Sequence, residues 1–366
     1  MKEKCIVISG VNLVEGGPLS VYKDCLHSLV RWKPSTLNII ALINNIELFD
    51  EFSQSGITFL EYPAAKKNWL SRLIFEYYSC INISKKYKPD IWLAMHDLTP
   101  NVKAGKRIVY CHNPAPFYPL TLQEAMMEKS LFAFKLFYRF FYGINIKKND
   151  FVIVQQNWIR EYFKKWYHVH NVVVAYPQIN MAKKSGMPQQ ADTGNIRFVY
   201  PAFPRVFKNF ETLFKAAEYL HTLVQNFEVV VTITGNENKY AARLFASFGH
   251  LPFIKFIGPQ PRNSMWALYD TSSCLVFPSK LETWGLPITE MKIYGKPVLV
   301  ADCNYAHETV GKYDKVRFFE PLNHIQLAML MQKIIDGTVV FDNVSFTEPP
   351  PYFTKTWEEL FSLTLN

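Results

Sequence analysis

The sequence lacks any long hydrophobic run. Nowhere in its 366 residues do about 18 uncharged apolar residues follow one another, the length that a membrane-spanning helix needs. At the N-terminus only the four residues Cys5–Ile8 form an apolar burst before Gly10, whereas a signal peptide needs roughly 7–15 such residues. We therefore expect neither a transmembrane helix nor a secretory signal, and a first buried strand at this position.

Closely spaced cysteine pairs are also absent. The six cysteines have no C-x-x-C spacing, and in a chain of this length such cysteines are typical of reduced core residues in a cytosolic protein. They stand at positions 5, 25, 80, 111, 274 and 303. Charged residues are few, at 19%, while hydrophobic residues reach 49%. This composition excludes a disordered chain, a collagen and a coiled coil.

The charge is unbalanced towards the basic side. Lys and Arg number 40 against 31 Asp and Glu, which gives a formal net charge of +9. Such an excess favours an anionic partner: nucleic acid, an anionic lipid surface or a phosphorylated small molecule. The chain contains none of the usual nucleic-acid-binding motifs. We therefore expect no nucleic-acid partner.

Short apolar runs alternate with longer segments of helical length, which predicts parallel sheets covered on both faces by helices. We predict strands at Cys5–Ser9, Leu37–Leu42, Ile57–Tyr62, Ile91–Ala94, Arg107–Cys111, Phe151–Gln155, Ile196–Tyr200, Glu228–Thr234, Ile254–Ile257, Cys274–Pro278 and Pro297–Ala301. The polar segment Ile179–Asn195 interrupts the pattern and predicts a linker. The chain is thus expected to be α/β, with Rossmann-like domains at 1–180 and 196–348, and ligands beyond the carboxyl ends of the strands.

The most informative segment follows the strand predicted at Cys274–Pro278. A loop, Ser279–Gly285, leads into a helix with Pro287 near its start and Gly295 after its end. Proline is favoured in the first turn of a helix and glycine just after the last one. The free backbone amides at the start of this helix favour an anion. Glu282 and Glu290, eight residues apart, are expected to lie along one wall of the site.

Glu282-x7-Glu290, within PSxxETWGLPxxE and followed by YGKPVLVAD, resembles the signature of retaining GT-B glycosyltransferases of family 4 (glycosyltransferase group 1). The bland alternative is a pair of solvated glutamates beside a structural Pro/Gly turn. The resemblance implies the GT-B fold, in which two Rossmann-like domains with parallel sheets face each other across a cleft. It also implies that the last helix, within 349–366, crosses back to the N-terminal domain.

The resemblance implies a set of site residues. Glu282 and His112 are expected to be catalytic, Glu282 by holding hydroxyls of the donor sugar and Glu290 by binding the ribose. The residues expected to bind the donor are Gly17, Arg205, Lys208, Thr283, Trp284, Gly285, Leu286 and Glu290. Lys208 matches the family position that binds the donor pyrophosphate, but the usual Arg position holds Ala202 or Phe203. Either Arg205 replaces that arginine or the position has no counterpart.

The first half offers weaker signals. The Gly16-Gly17 loop precedes a helix and resembles the glycine pair of the family, where a backbone approaches a ligand. His112, at the end of a predicted strand, resembles the family histidine near the donor sugar; the alternative is a structural histidine that caps the turn before Pro114. The pair His96-Asp97 ends the preceding strand and is either an acceptor-site pair or structural.

Residues 130–142 read SLFAFKLFYRFFY and are apolar on nearly every side of a helix. The segment is either a core-covering helix with two cations that extend to solvent or a helix that lies on an anionic membrane. Nearby basic residues suit the second interpretation: Lys66, Lys67, Arg72, Lys85, Lys86 and Lys88.

We therefore expect a glycosyltransferase that moves a sugar from a GDP- or UDP-sugar to a hydroxyl of a glycan acceptor. The acceptor is expected to be lipid-linked, and the reaction to belong to bacterial surface polysaccharide synthesis. The protein is expected to be cytoplasmic, in peripheral contact with the membrane, and to need no cofactor. The absence of an Asp-x-Asp sequence argues against the other common glycosyltransferase fold and its metal ion. The alternatives are a catalytically silent nucleotide-sugar-binding subunit and a nucleotide-sugar hydrolase or epimerase.

Overall fold

The computed structural model describes residues 4–32, 37–178, 196–346 and 348–365. The chain folds into two units. The first consists of Met1–Phe117, Ala133–Gln178 and Glu348–Asn366, and the second of Tyr118–Phe132 and Ile179–Thr347. The predicted linker Ile179–Asn195 lies outside the described residues.

Fourteen strands lie in the part of the chain that the structure describes. They are β1 (Lys4–Ser9), β2 (Leu37–Ile43), β3 (Thr58–Glu61), β4 (Ile91–Ala94), β5 (Lys106–Cys111), β6 (Phe151–Val154), β7 (Val172–Ala175), β8 (Ile196–Tyr200), β9 (Phe227–Val231), β10 (Ile254–Phe256), β11 (Cys274–Phe277), β12 (Val298–Ala301), β13 (Val316–Phe319) and β14 (Phe353–Thr354). The eleven predicted strands are confirmed with small shifts at their ends, whereas β7, β13 and β14 were not predicted.

Thirteen α-helices lie in the same described ranges. They are α1 (Gly16–Trp32), α2 (Trp69–Ile74), α3 (Cys80–Tyr87), α4 (Leu122–Met127), α5 (Lys129–Gly143), α6 (Asn157–Tyr167), α7 (Phe210–His221), α8 (Lys239–Phe248), α9 (Arg262–Thr271), α10 (Leu286–Ile293), α11 (Asn304–Val310), α12 (His324–Ile335) and α13 (Trp357–Thr364). Among the described helices, none has both the length and the hydropathy to cross a bilayer.

The first unit is built on an eight-stranded parallel sheet in the order β14-β7-β6-β5-β4-β1-β2-β3. Its central strands are buried on both faces, as their near-continuous Val and Ile content predicts. The strand order reverses between β1 and β4. In an open α/β sheet this reversal marks the crevice where ligands bind.

The second unit holds a six-stranded parallel sheet in the order β10-β9-β8-β11-β12-β13. Here the order reverses between β8 and β11. Both sheets have the predicted α/β architecture, and the loops after β8 and β11 therefore lie where a nucleotide is expected.

The last described residues belong to the first unit. Strand β14 pairs in parallel with β7, Phe353 beside Val174, and α13 packs against α1 with Trp357 and Phe361 in the core. The segment Tyr118–Phe132 clusters with the second unit, although it falls within the predicted N-terminal domain 1–180. This difference has a physical cause, since its carboxylates pair with cations of the second unit.

Candidate active site

The loops after β8 and β11 place a cation and a carboxylate together. Lys208 ends a short 3-10 turn, Val206–Lys208, and Glu282 lies between β11 and α10. Lys208 Nζ is 2.5 Å from Glu282 Oε1. Both side chains are largely buried, at 17% and 13% exposure. The two residues predicted from the motif as donor-binding and catalytic groups therefore form one ion pair at the strand reversal.

Buried tyrosines surround this pair. Tyr200 donates a hydrogen bond to the backbone oxygen of Lys208 at 2.8 Å, and Tyr305 donates one to the backbone oxygen of Ser279 at 2.7 Å. Burial raises the pKa of both hydroxyls, and the charge of Glu282 raises each pKa further. Both tyrosines therefore stay neutral donors that hold the loop backbones in place.

The backbone between Glu282 and α10 turns sharply at Gly285. Its φ of +90° lies in the left-handed region, which glycine adopts at little cost. The Trp284 side chain is buried and donates to Thr289 Oγ1 at 2.9 Å, so its ring supports the loop from within. Thr283 and Leu286 flank this turn and are each half-buried.

Glu290 lies deeper, in the body of α10. Its side chain is 2% exposed, accepts a hydrogen bond from Tyr269 at 2.6 Å and lies 2.5 Å from Arg262 Nη1. Burial, and then the charge of Glu290, raises the pKa of Tyr269 well above its ordinary value. Glu290 is thus engaged by side chains of α9, and its role at the ribose stays a prediction.

Arg205, the second predicted phosphate-binding cation, is held by a carboxylate. Arg205 Nη2 lies 2.7 Å from Glu128 Oε1, and the Val206 amide donates to Glu128 Oε2 at 3.2 Å. Sequence reasoning missed Glu128 because it lies 77 positions before its partner along the chain.

A further ion pair joins α4 to the loop after β11. Lys280 pairs with Glu124 of α4, and the Lys280 amide donates to the Phe207 oxygen at 2.7 Å. Burial alone would raise the pKa of Glu124, but hydrogen bonds from Lys280, Tyr118 and Thr121 hold it below the ordinary value. Glu124 is therefore ionised at neutral pH. The Thr121-x-x-Glu124 spacing, a capping box, was the available sequence signal for α4.

A cavity of about 670 Å³ adjoins the Lys280–Glu124 pair. It is lined by Tyr118, Pro119, Thr121, Glu124, Lys280, Cys303 and residues 320–324. These residues come from α4 and the segment just before it, and from the loops that follow β11, β12 and β13. The second unit therefore has open volume beside the Lys280–Glu124 pair.

In the first unit, His112 follows β5 and is 9% exposed. Its ring stacks on Tyr110, with centroids 4.4 Å apart. Burial lowers the pKa of His112 to about 4, against a smaller raising effect from Asp97. His112 is therefore an uncharged imidazole at neutral pH, and any contribution it makes there is that of a neutral donor or acceptor.

Asp97 holds the His112 loop. Its Oδ1 accepts the backbone amides of His112 at 2.6 Å and Asn113 at 3.0 Å, and the Tyr142 hydroxyl at 2.9 Å. Its φ of +76° is unusual for a residue other than glycine. These contacts of Asp97 are all internal. They agree with the alternative that the pair His96-Asp97 is structural.

His96 is equally internal. Its Nε2 is 3.0 Å from Ser9 Oγ, and its Nδ1 is 3.0 Å from Glu76 Oε1. Arg72 donates a hydrogen bond to the His96 backbone oxygen at 2.5 Å. This polar cluster fills the strand reversal between β1 and β4, and it removes Arg72 from the predicted basic surface. Lys66, Lys67, Lys85, Lys86 and Lys88 are exposed as expected.

The glycine loop begins α1. Gly16 has a φ of +65°, and Gly17 stands half-buried in the first turn of the helix. Gly10, at the end of β1, has a stricter requirement: a Cβ there would lie 2.4 Å from the Tyr22 ring. The contribution of Gly17 to ligand binding stays a prediction.

Comparisons with known proteins give a family match and a fold. Residues 182–340 match the family model described as Glycosyl transferases group 1. No curated protein sequence matches the chain. Several hundred solved chains are similar in structure. Sucrose-phosphate synthase from Thermosynechococcus elongatus is similar to this chain at a TM-score of 0.68 and 13% identity, with 92% of this chain and 90% of that chain covered.

Two further structures are similar in fold. The lipopolysaccharide outer core galactosyltransferase WaaB is similar at a TM-score of 0.63 and 14% identity, with 94% of this chain and 92% of that chain covered. HepE of Anabaena, solved in complex with UDP-glucose, is similar at a TM-score of 0.61 and 14% identity, with 91% and 90% covered. At these identities the likeness shows the fold alone. Residues 182–340 thus resemble the Glycosyl transferases group 1 family, in a chain that has the GT-B fold.

Proposed function

We propose that this protein is a retaining glycosyltransferase of family 4 that transfers a sugar from a GDP- or UDP-sugar to a hydroxyl of a glycan. The observation that carries the proposal is the ion pair between Lys208 and Glu282 at the reversal of the second sheet. The family match over residues 182–340 supports the activity, and HepE, bound to UDP-glucose, supports the class of donor.

In the proposed reaction, the bond between the anomeric carbon and the diphosphate oxygen breaks while the acceptor oxygen bonds to that carbon on the same face. The acceptor proton passes to the departing diphosphate oxygen. Lys208 and Arg205 stabilise the charge that develops on the diphosphate, and Glu282 holds hydroxyls of the donor sugar. Preorganised groups of this kind are commonly the largest catalytic contribution. The proposed reaction needs no metal ion.

A panel of nucleotides tests the donor site. We expect one of GDP, UDP, dTDP, CMP and ADP to stabilise the protein against heat, since a ligand at 100 times its dissociation constant adds about 2.7 kcal/mol to the free energy of unfolding. Lys208→Ala should lose most of this stabilisation, because it removes a phosphate-binding cation. Lys215→Ala, an exposed lysine of α7, is the matched control and should respond like the wild type.

The outcome fixes the class of the protein. Stabilisation by one nucleoside diphosphate identifies the base, and release of that nucleotide from its sugar conjugate only when a glycan acceptor is added supports transfer over hydrolysis. A protein that no nucleotide stabilises would contradict the proposal.

We further propose that the acceptor is lipid-linked and belongs to bacterial surface polysaccharide synthesis, with the protein in peripheral contact with an anionic membrane. The support lies in α5 and the neighbouring α2. Leu136, Phe137 and Phe140 of α5 are 61%, 56% and 67% exposed, and Leu70 of α2 is exposed as well. The Trp69 ring stacks on Phe141 of α5 at 5.5 Å.

Helix α5 therefore has apolar residues on both sides. Leu131, Tyr138 and Tyr142 are buried, so the helix covers the core and also presents apolar side chains outward. Lys66 and Lys67, just before α2, are exposed cations. Outward aromatic residues beside lysines suit the headgroup region of an anionic bilayer.

Vesicle binding tests the membrane contact. Phe137→Ser combined with Phe140→Ser is expected to weaken co-sedimentation with phosphatidylglycerol vesicles at least about tenfold, because burying a phenylalanine contributes roughly 1.5–3 kcal/mol. The control is Val340→Ser, which removes an even more exposed apolar residue of the second unit. Equal binding of wild type and double variant would contradict the proposal.

A further inference from the structure

The segment Tyr118–Phe132, here named the acidic strap, belongs to the second unit although the residues on both sides of it along the chain belong to the first. It contains α4, with Glu124 in the first turn and Glu128 directly after the last. Because both carboxylates stand on one short helical segment, they are expected to move together.

Glu128 occupies donors of the kind that bind phosphate. Its two oxygens lie against the Arg205 guanidinium at 2.7 Å and the Val206 amide at 3.2 Å. A guanidinium and a backbone N–H are both common ligands of phosphate oxygens. In addition, Arg205 Nε is buried and has no hydrogen-bond partner. The Glu128 carboxylate therefore leaves part of the guanidinium unused.

The charges of the site cancel in this arrangement. The loops after β8 and β11 carry three cations, Arg205, Lys208 and Lys280, and each lies against one carboxylate. The three carboxylates are Glu128, Glu282 and Glu124. A site without net charge attracts a diphosphate only weakly. Departure of the acidic strap alone would remove two carboxylates and leave Arg205 and Lys280 unpaired.

We propose that the acidic strap competes with the donor for the diphosphate site, and that donor binding replaces Glu128 at Arg205 and Val206 by phosphate oxygens. The strap thereby sets the affinity for the donor. This inference rests on the proposed function, because it assigns the same two loops to the donor diphosphate.

The test is the affinity of the Glu128→Gln variant for the nucleoside diphosphate selected by the panel and for inorganic pyrophosphate, measured by titration calorimetry. Glutamine keeps the shape and an acceptor for the Val206 amide but has no charge for Arg205. We expect binding about tenfold tighter than in the wild type, since a competing closed state lowers the apparent affinity by its population.

Asp342→Asn is the matched control. Asp342 pairs with Arg317 and accepts the amide of the next residue, Phe318, at 2.8 Å, so it repeats the contacts of Glu128 at a different place in the same unit. Its replacement should leave the affinity unchanged. In the double variant Arg205→Ala, Glu128→Gln the gain should disappear, because no guanidinium is released.

Three results separate the possibilities. Tighter binding by Glu128→Gln that depends on Arg205 supports the inference. Unchanged or weaker binding by this variant, with the wild type still binding the nucleotide, overturns the inference and leaves the proposed function intact. Failure of wild type and variants alike to bind any diphosphate overturns both. Thermal melting of each variant shows whether it is folded.

Discussion

Replacing Glu282 by alanine is expected to lower the rate of sugar transfer about 10²- to 10³-fold, the usual loss when one preorganised charged group is removed from an active site. Affinity for the nucleoside diphosphate should stay equal or increase. The variant releases the Lys208 ammonium group, which lies 2.5 Å from Glu282, to bind phosphate. A loss in turnover without a loss in nucleotide affinity distinguishes an enzyme from a silent binding subunit.

Steady-state release of nucleotide from the sugar donor in the presence of acceptor measures the first quantity, and calorimetric titration the second. The control is Glu228→Ala, which breaks a comparable ion pair with Arg197, 2.6 Å apart, at the amino ends of β8 and β9. This variant should transfer sugar at the wild-type rate. Full turnover by Glu282→Ala would remove Glu282 from the mechanism.

Replacing Asp97 by alanine is expected to lower the free energy of unfolding of the first unit by about 3–5 kcal/mol. Four donors lose Asp97 as an acceptor, namely the amides of His112 and Asn113 and the hydroxyls of Tyr138 and Tyr142. Alanine also tolerates the φ of +76° less well than aspartate. Faster hydrogen exchange at the His112 and Asn113 amides should accompany a melting temperature lower by roughly 10 °C.

Asp97→Asn should lower the free energy of unfolding by a smaller amount. Asparagine tolerates a left-handed backbone and keeps one acceptor oxygen, so its loss should be less than half that of alanine. Asp90→Ala is the control, since Asp90 accepts a single amide, that of Cys5 at 2.8 Å, near the surface. If Asp97→Ala melted like Asp90→Ala, the hydrogen bonds would not be what holds the His112 loop.

The fold follows from local pattern to a large extent. Runs such as Ile196–Tyr200 can only be buried strands, because five consecutive residues with four large apolar side chains need cover on both faces. The strands that were not predicted are shorter. Val172–Ala175 has the same buried apolar pattern in only four residues, Val316–Phe319 is buried only at its two ends, and Phe353–Thr354 has two residues, too few for any periodicity.

The residues of the site were likewise predicted only in part. Lys208 and Glu282 were both expected in the donor site, because two separate motifs give them and parallel strands bring their carboxyl ends to one edge; the ion pair between them was not predicted. The contacts of Glu124 and Glu128 were not expected, because they depend on where α4 lies in the folded chain. His96 and Asp97 show the same limit: a polar residue at a strand end does not reveal whether its side chain faces a ligand or, as here, the interior.

The position of β14 and α13 bears on the order in which the chain is made and folded. The ribosome completes residues 1–178 early, yet the edge of the first sheet and the partner of α1 are supplied by Phe353–Thr354 and Trp357–Thr364. The β7 edge of the first sheet therefore has no neighbouring strand while the ribosome synthesises the whole second sheet. Unpaired strand edges promote aggregation. Nascent chains of this protein should therefore need a chaperone most during that interval.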